Sequence, residues 1–140
     1  MPTTRLVLVS HGGLAQALLA TAQMIVGPVE GVETIALEAG MGTEAITSAL
    51  EGIVAAAPPQ SGILALLDLL GGSPATACGR VMAVDDRVEV VTGCNLPMLL
   101  EVLLSRDRLD VHDLARLARE RGKEGIIDLR SALGEASSDG

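Results

Sequence analysis

One stretch decides how this chain folds: Arg5-Leu6-Val7-Leu8-Val9-Ser10-His11-Gly12-Gly13. Its first five residues are almost all leucine and valine, the composition of a strand that is buried on both faces of a parallel sheet. The polar break after Val9 places the His11 imidazole at the carboxyl end of this strand, the edge where ligands bind in open α/β sheets. His11 is therefore the first candidate functional residue. The alternative is a histidine that only ends the strand and bonds a backbone carbonyl.

Outward from this strand, helical and strand patterns alternate. Apolar residues recur at helical spacing after His11 until Gly27-Pro28, and again from Thr43 to Pro58-Pro59. The sequence predicts further strands near residues 33–38, 62–68 and 88–91, and further helices from Ser73-Pro74, from Leu96 and after Asp110. This alternation predicts one three-layer α/β domain, with a mostly parallel sheet of order 2-1-3-4 and helices on both faces.

The end of the chain breaks the alternation. Gly122 ends the fifth helix, and Gly125-Ile126-Ile127-Asp128-Leu129 is predicted to be one more strand, antiparallel to the others. Since nothing after this strand covers its apolar side chains, we expect it to pair at a sheet edge, either in its own subunit or in a second one. Residues 1–130 are expected to form the domain, and residues 131–140 a polar, disordered tail.

The composition excludes several classes of function. The 140 residues include no Phe, Tyr or Trp and carry a formal charge of −8, so the chain has neither the aromatic platforms nor the excess cations that bind nucleic acid. A protein partner is expected to be basic. Cys78 and Cys94 fit neither a metal site nor a disulfide framework and are expected to be small buried side chains. No cofactor and no metal are predicted, and the lack of a signal peptide or a long apolar run predicts a cytosolic protein without membrane insertion.

Two familiar motifs fit this framework poorly. Gly40-Met41-Gly42-Thr43-Glu44-Ala45 has the glycines of a dinucleotide-binding loop, but it does not follow the first strand and lacks an acid about 20 residues further on. Gly71-Gly72-Ser73-Pro74-Ala75 lies between a strand and a helix like a serine nucleophile elbow, with His11 and Asp68 to complete a triad. Pro74 argues against that elbow because it has no N–H for the oxyanion hole. The Ser-Pro pair is better explained as a helix N-cap followed by an N1 proline.

A third interpretation is phosphoryl transfer on His11. In a sheet of order 2-1-3-4, the carboxyl ends of strands one and three are neighbours at the switch point, which brings Asp68 to His11. A carboxylate that accepts from one imidazole nitrogen fixes the tautomer and leaves the other nitrogen as a nucleophile for phosphorus. Gly71, Gly72 and Ser73 lead into a helix whose N–H groups and hydroxyl can hold phosphoryl oxygens. His11 is thus the predicted phosphoryl acceptor, and Asp68 is its orienting carboxylate. Gly71, Gly72 and Ser73 are the predicted phosphate-binding residues.

Three stretches of the chain together resemble a known family. They are Leu8-Val9-Ser10-His11-Gly12, Leu67-Asp68-Leu69-Leu70-Gly71-Gly72-Ser73-Pro74 and Gly93-Cys94-Asn95-Leu96-Pro97-Met98-Leu99-Leu100-Glu101. In this order and spacing they resemble the signature of the mannose-family IIA domain of the bacterial phosphoenolpyruvate-dependent sugar phosphotransferase system. The resemblance covers residues 4–130.

The resemblance implies a full functional assignment. His11 would accept a phosphoryl group from the histidine-containing phosphocarrier protein and pass it to a IIB domain for sugar uptake and phosphorylation, with Asp68 orienting the ring. It also implies a homodimer that exchanges its last strand. The chain departs from the family pattern at Gly13 and Ala75, where an aromatic residue is frequent, and at Ser10, where threonine is common. The alternative is a regulatory binding module whose phosphorylation state signals to a kinase, a transcription factor or another target.

Overall fold

The computed structural model describes residues 3–139, with side chains as far as Gly134. Four strands and six helices make up this part of the chain. In chain order they are β1 (Arg5–His11), α1 (Leu14–Val26), β2 (Val32–Leu37), α2 (Thr43–Ala56), β3 (Ile63–Leu67), α3 (Ser73–Val84), β4 (Val88–Thr92), α4 (Leu96–Ser105), α5 (Val111–Glu124) and α6 (Leu129–Asp139). Strands and helices alternate as far as α4, which confirms the predicted α/β pattern.

The strands form one parallel sheet of order β2-β1-β3-β4, as predicted. β1 and β3 are its central strands, and residues 6–9 and 63–67 are each no more than 1% exposed. Val9 of β1 is level with Leu67 of β3, and the Asp68 N–H donates to the Val9 carbonyl at 3.1 Å. The carboxyl ends of β1 and β3 therefore lie side by side at the switch point of the sheet.

Alternate side chains of the central strands pack into opposite layers. Val7 and Val9 belong to a core cluster with buried side chains of α2 and α3. Leu6 and Leu8 belong to a second cluster with buried side chains of α1, α4 and α5. Full burial of each such side chain stabilises the fold by about 1.5–3 kcal/mol. The helices thus cover both faces of the sheet, which confirms the three-layer prediction.

Local capping fixes where the helices begin. Asp110 caps α5 as predicted, because its Oδ1 accepts from the Asp113 N–H at 2.8 Å. Ser73 was predicted to be the N-cap of α3, and that prediction is wrong by one residue: Gly72 is the N-cap and Ser73 begins the helix. Gly72 has a φ of +87°, a conformation that glycine adopts without a steric penalty, so the turn ends before the serine.

The strand predicted at Gly125–Leu129 is not formed in the single chain. Residues 126–128 have no regular structure, and α6 occupies Leu129–Asp139, where the sequence predicted the end of this strand and a disordered tail; Gly140 lies outside the described residues. A strand needs a neighbouring edge for its backbone groups, and this segment pairs with none of the four strands. The chain forms local bonds instead, such as the one from the Ala132 N–H to the Asp128 carbonyl at 3.0 Å.

Candidate active site

His11 is the last residue of β1 and lies at the edge of the sheet where two neighbouring strands end. Its side chain is 45% exposed, whereas that of Asp68, the residue directly after β3, is 8% exposed. Because side chains alternate along a strand, His11 lies on the same face as Val9, the face covered by α2 and α3. His11 and Asp68 are thus neighbours at the carboxyl ends of β1 and β3, as the strand order predicted.

Asp68 holds His11 through two separate contacts. Its Oδ2 accepts from the His11 backbone N–H at 2.9 Å and lies 2.9 Å from the ring Nδ1. Its Oδ1 accepts from the Leu69 N–H at 2.8 Å. Burial raises the pKa of the Asp68 carboxyl, but the bonds from His11 and Leu69 together outweigh burial and lower that pKa below its ordinary value. Asp68 is therefore a carboxylate at neutral pH, fixed by three N–H groups.

This arrangement decides which ring nitrogen can react. A carboxylate only accepts hydrogen bonds, so the nitrogen facing it, Nδ1 of His11, carries the ring proton. The other nitrogen, Nε2, then has a free lone pair. A buried carboxylate also stabilises positive charge on the imidazole when Nε2 forms a new bond. The pair can thus act as an oriented nucleophile and its counter-ion.

Gly72 lies directly against the reactive nitrogen. A Cβ built at this position would be 3.3 Å from Nε2 of His11 and 3.6 Å from Cε1. The φ of +87° and ψ of −173° at Gly72 belong to a region of backbone conformation that is essentially restricted to glycine. A side chain at this position would both strain the turn and crowd the ring, so the glycine keeps space open beside Nε2.

The N-terminus of α3 begins immediately after this glycine. Ser73 is its first residue, and neither Ser73 nor Ala75 has a carbonyl one turn earlier within the helix for its N–H. Pro74 has no N–H, and the Thr76 N–H donates to the Gly72 carbonyl at 3.3 Å. Two N–H groups and the positive end of the helix dipole are thus available to an anion beside His11.

Gly71 is less constrained than its neighbour. Its φ is not positive, and a Cβ there would meet only Leu69 Cδ1 at 3.4 Å. Of the two glycines predicted to serve the phosphate site, Gly72 alone lies against His11. The sequence had no signal to separate them, since the difference depends on the φ of a single turn.

Exposed aliphatic side chains lie on the loops and helix starts at this same edge of the sheet. Leu14 begins α1, Met41 precedes α2, and Leu69 and Leu70 follow β3; they are 47%, 38%, 47% and 75% exposed. We call these four residues the aliphatic rim. A contiguous patch of exposed apolar side chains is typical of a contact surface. Sequence analysis noted the missing aromatics near His11 but did not find the rim, whose members come from three separate loops.

The third sequence stretch has a structural role. The Asn95 Oδ1 accepts from the Met98 N–H at 3.0 Å and caps α4, and the Asn95 Nδ2 donates to the Gly122 carbonyl at 2.9 Å. Asn95 thereby joins the start of α4 to the end of α5. Burial, and after it the negative charge of Asp68, raise the pKa of the Cys94 thiol to about 11. Cys94 is therefore a protonated, unreactive thiol at neutral pH.

Two further groups, Cys78 and His112, lie away from this site. Cys78 is fully buried, and burial raises its pKa to about 11. His112 lies on α5 with its Nδ1 2.9 Å from Glu89 Oε1 at the edge of β4. Within residues 3–139, no three His, Cys, Asp or Glu side chains are grouped so as to hold a metal ion. No helix in that range is both long and apolar enough to cross a bilayer.

Comparison with known proteins matches this geometry to one family. Residues 5–118 match the family model described as PTS system fructose IIA component. The mannose-specific EIIAB component of Escherichia coli (strain K12) is 36% identical over 130 residues, which are 92% of this chain. The chain spans 40% of the length of that relative. The fructose-specific EIIA component of Bacillus subtilis (strain 168) is 32% identical over 104 residues, 74% of this chain and 71% of the relative.

A solved structure agrees with these sequence matches. The phosphotransferase system component EIIA from Streptococcus agalactiae superimposes with a TM-score of 0.84 at 32% sequence identity. The superposition covers 91% of this chain and 98% of that one. Fold and sequence agree, and the chain belongs to the mannose/fructose family of IIA components of the sugar phosphotransferase system.

Proposed function

We propose that this chain is a phosphocarrier that accepts a phosphoryl group on His11. The donor is the histidine-containing phosphocarrier protein, and the acceptor is a IIB domain that uses the group in sugar uptake and phosphorylation. The observation that carries the proposal is the position of Nε2, which is opposite the Asp68-bonded nitrogen and beside Gly72 at the start of α3. The cytoplasmic location expected from the sequence is part of the proposal.

In the first step, Nε2 of His11 attacks the phosphorus of the donor's phosphohistidine. The bond between donor nitrogen and phosphorus breaks as the bond from Nε2 forms, and the donor imidazole leaves with the electron pair. Nδ1 keeps its proton, so the His11 ring becomes positively charged. The Asp68 carboxylate, 2.9 Å from Nδ1, stabilises that charge. The second step reverses these events with the IIB domain as the acceptor.

The phosphoryl group itself is held by the start of α3. The N–H groups of Ser73 and Ala75 point out of the first turn of this helix, and the Ser73 hydroxyl is on the same turn. Gly72 leaves room for an oxygen beside the ring. Because phosphoryl transfer depends mainly on positioning and charge stabilisation, these contacts provide most of what the reaction needs from this chain.

Partner proteins are proposed to dock around His11 on the aliphatic rim. The loops at residues 12–13, 38–42 and 68–72 contain no Lys or Arg, whereas Glu38 and Asp68 lie in them. The chain as a whole carries a formal charge of −8. A partner with an apolar centre and a basic margin fits this surface, and the opposite charges speed their encounter.

The regulatory alternative would use the same phosphorylated histidine. No contact among the described residues favours a signalling target over a IIB domain. The family relatives named above are mannose-specific and fructose-specific components of the phosphotransferase system. We therefore propose transport as the function.

We also propose the homodimer with exchanged C-terminal segments. β4 is an edge strand, and a groove of about 450 Å³ lies along it, between β4 and α5. Ile126, Ile127 and Leu129 are 80%, 66% and 68% exposed in the single chain. A second subunit's segment lying against the β4 edge would gain strand hydrogen bonds and bury these side chains.

Phosphorylation in a reconstituted system tests the function. The chain is incubated with phosphoenolpyruvate, the general phosphotransferase enzyme and the phosphocarrier protein, and acid-labile phosphate is mapped. His11→Ala should reduce the label to background and leave the fold intact, because the side chain is 45% exposed and contributes little packing. His112→Ala is the matched control, since its Nδ1 also lies 2.9 Å from a carboxylate. Label on the His11 variant, or its loss from the His112 variant, would contradict the assignment.

A further inference from the structure

Ser10 is a buried polar residue beside the proposed phosphorylation site. It is 1% exposed, and it follows four apolar residues of β1, Leu6–Val9, that are equally buried. Since side chains alternate along a strand, Ser10 lies on the opposite face from His11, the face covered by α1. Its hydroxyl therefore cannot touch a phosphoryl group on His11, and the proposed function gives it no role.

The Ser10 hydroxyl makes two hydrogen bonds across the turn that follows His11. Its Oγ accepts from the Ala15 N–H at 2.8 Å and donates to the Gly12 carbonyl at 3.2 Å. Ala15 is in the first turn of α1, whose N-cap, Gly13, has no side chain to bond the free N–H groups. Ser10 thus caps α1 from the preceding strand and performs the task that an N-cap serine usually performs.

The turn that Ser10 fixes is directly attached to His11. Gly12 has a φ of +57°, and its N–H donates to the Leu37 carbonyl of β2 at 2.9 Å. Asp68 holds His11 through its backbone N–H and its ring. Ser10 holds the residue that follows, so the backbone on the carboxyl side of His11 depends on the Ser10 hydroxyl.

We propose that Ser10 is a positioning residue for His11. By fixing the Gly12 turn and the start of α1, it sets the direction of Nε2 relative to the N-terminus of α3. Its effect on phosphoryl transfer rests on the proposed function, whereas its effect on the His11 backbone does not. A small misplacement of the nucleophile is sufficient to slow a transfer reaction, because the rate depends on alignment with the leaving group.

The test compares three substitutions. Ser10→Ala removes the hydroxyl, and Ser10→Thr retains it. Ser61→Ala is the control: Ser61 is also 1% exposed, but it precedes β3 and so lies at the amino ends of the strands, away from His11. Ser10→Ala should slow transfer from saturating phosphocarrier protein by about tenfold, with the half-saturating concentration unchanged. Ser10→Thr should retain most of the rate, and Ser61→Ala all of it.

Hydrogen exchange gives a second readout that needs no phosphoryl transfer. In Ser10→Ala, exchange of the His11 and Ala15 amides should accelerate by about tenfold relative to amides of β3, which report global opening. Unchanged exchange at His11, or a rate loss in Ser61→Ala equal to that in Ser10→Ala, would overturn the proposal. A wild-type chain that accepts no phosphoryl group would contradict the proposed function, and exchange at His11 would still decide the role of Ser10.

Discussion

Asp68→Asn is the substitution that tests the site most directly. Three N–H groups point at this carboxylate: Oδ2 receives the His11 backbone N–H and faces Nδ1, and Oδ1 receives the Leu69 N–H. An asparagine has nearly the same shape, but only one of its two terminal atoms accepts hydrogen bonds. Each of the two orientations of the amide therefore loses different hydrogen bonds, either the one from Leu69 or those from His11.

The cost of each orientation follows from these contacts. If the amide oxygen faces His11, the amide NH₂ opposes the Leu69 N–H, and that exposed donor loses its side-chain partner and lowers folding stability slightly. If the oxygen faces Leu69, the NH₂ donates to Nδ1 of His11, so the proton moves to Nε2 and the nucleophile is lost. In the first orientation the positive ring has no counter-charge, and in the second Nε2 cannot attack, so we expect phosphoryl acceptance to slow by about 10²–10³-fold.

The stability effect of this variant has a defined dependence on pH. The pKa of Asp68 in the folded state lies below its ordinary value of 3.8, so the carboxylate stabilises the fold fully above that value. The contribution is lost as the pH falls through the folded-state pKa. Urea unfolding should therefore separate wild type from Asp68→Asn at pH 7 and bring them together in strong acid.

Rapid-quench measurement of acid-labile phosphate gives the rate for this variant, and ¹⁵N spectra of the His11 ring give its tautomer. Asp85→Asn is the matched control, because the Asp85 carboxylate also accepts from a backbone N–H and a side chain, both of Arg87. Asp85 precedes β4 and so lies at the amino ends of the strands, away from His11. Phosphoryl acceptance by Asp68→Asn at the wild-type rate, or equal slowing in Asp85→Asn, would refute this role of Asp68.

Two further predictions concern the turn beside the ring and the C-terminal segment. Gly72→Ala should cost about 1–3 kcal/mol of stability through backbone strain and slow phosphoryl acceptance by at least about tenfold. Gly71→Ala should do neither, and equal acceptance rates for the two variants would contradict the role of Gly72. The double substitution Ile126→Asp with Ile127→Asp should convert a dimer to a monomer in sedimentation, and Met24→Asp, at an 87% exposed position of α1, should not. A double variant that still sediments as a dimer would argue against strand exchange.

Most of the fold follows from patterns that are local in the sequence. Unbroken apolar runs mark β1 and β3 because both faces of each strand are covered, and helical periodicity marks the helices between them. The segment at Gly125–Leu129 differs, since its apolar pattern suits a strand but a strand's hydrogen bonds depend on a partner edge. Local sequence does not say where that edge is, and the single chain forms α6 from Leu129 instead.

The candidate site also has contacts that could be predicted from the sequence and contacts that could not. The contact between His11 and Asp68 was predictable, because strand order alone brings the ends of β1 and β3 together. The closeness of Gly72 to Nε2 and the cap from Ser10 to Ala15 were not, since both depend on positive φ angles at glycines. A glycine in a sequence permits such angles without specifying them. A lone serine within a buried apolar strand was the one available signal for the cap.

The charges around His11 suit the proposed role, in which one nitrogen both accepts and releases a phosphoryl group. The loops at residues 12–13, 38–42 and 68–72 provide no Lys or Arg to pair with phosphate oxygens, so in the proposed transfer neutral N–H donors at the start of α3 would hold the group. Charge-assisted hydrogen bonds are about twice as strong as neutral ones, and a cationic clamp would trap the phosphohistidine. The Asp68 carboxylate, 2.9 Å from Nδ1, would stabilise the positively charged ring. In the proposed mechanism the site would therefore stabilise the charged ring of the intermediate while holding the phosphoryl group weakly enough for onward transfer.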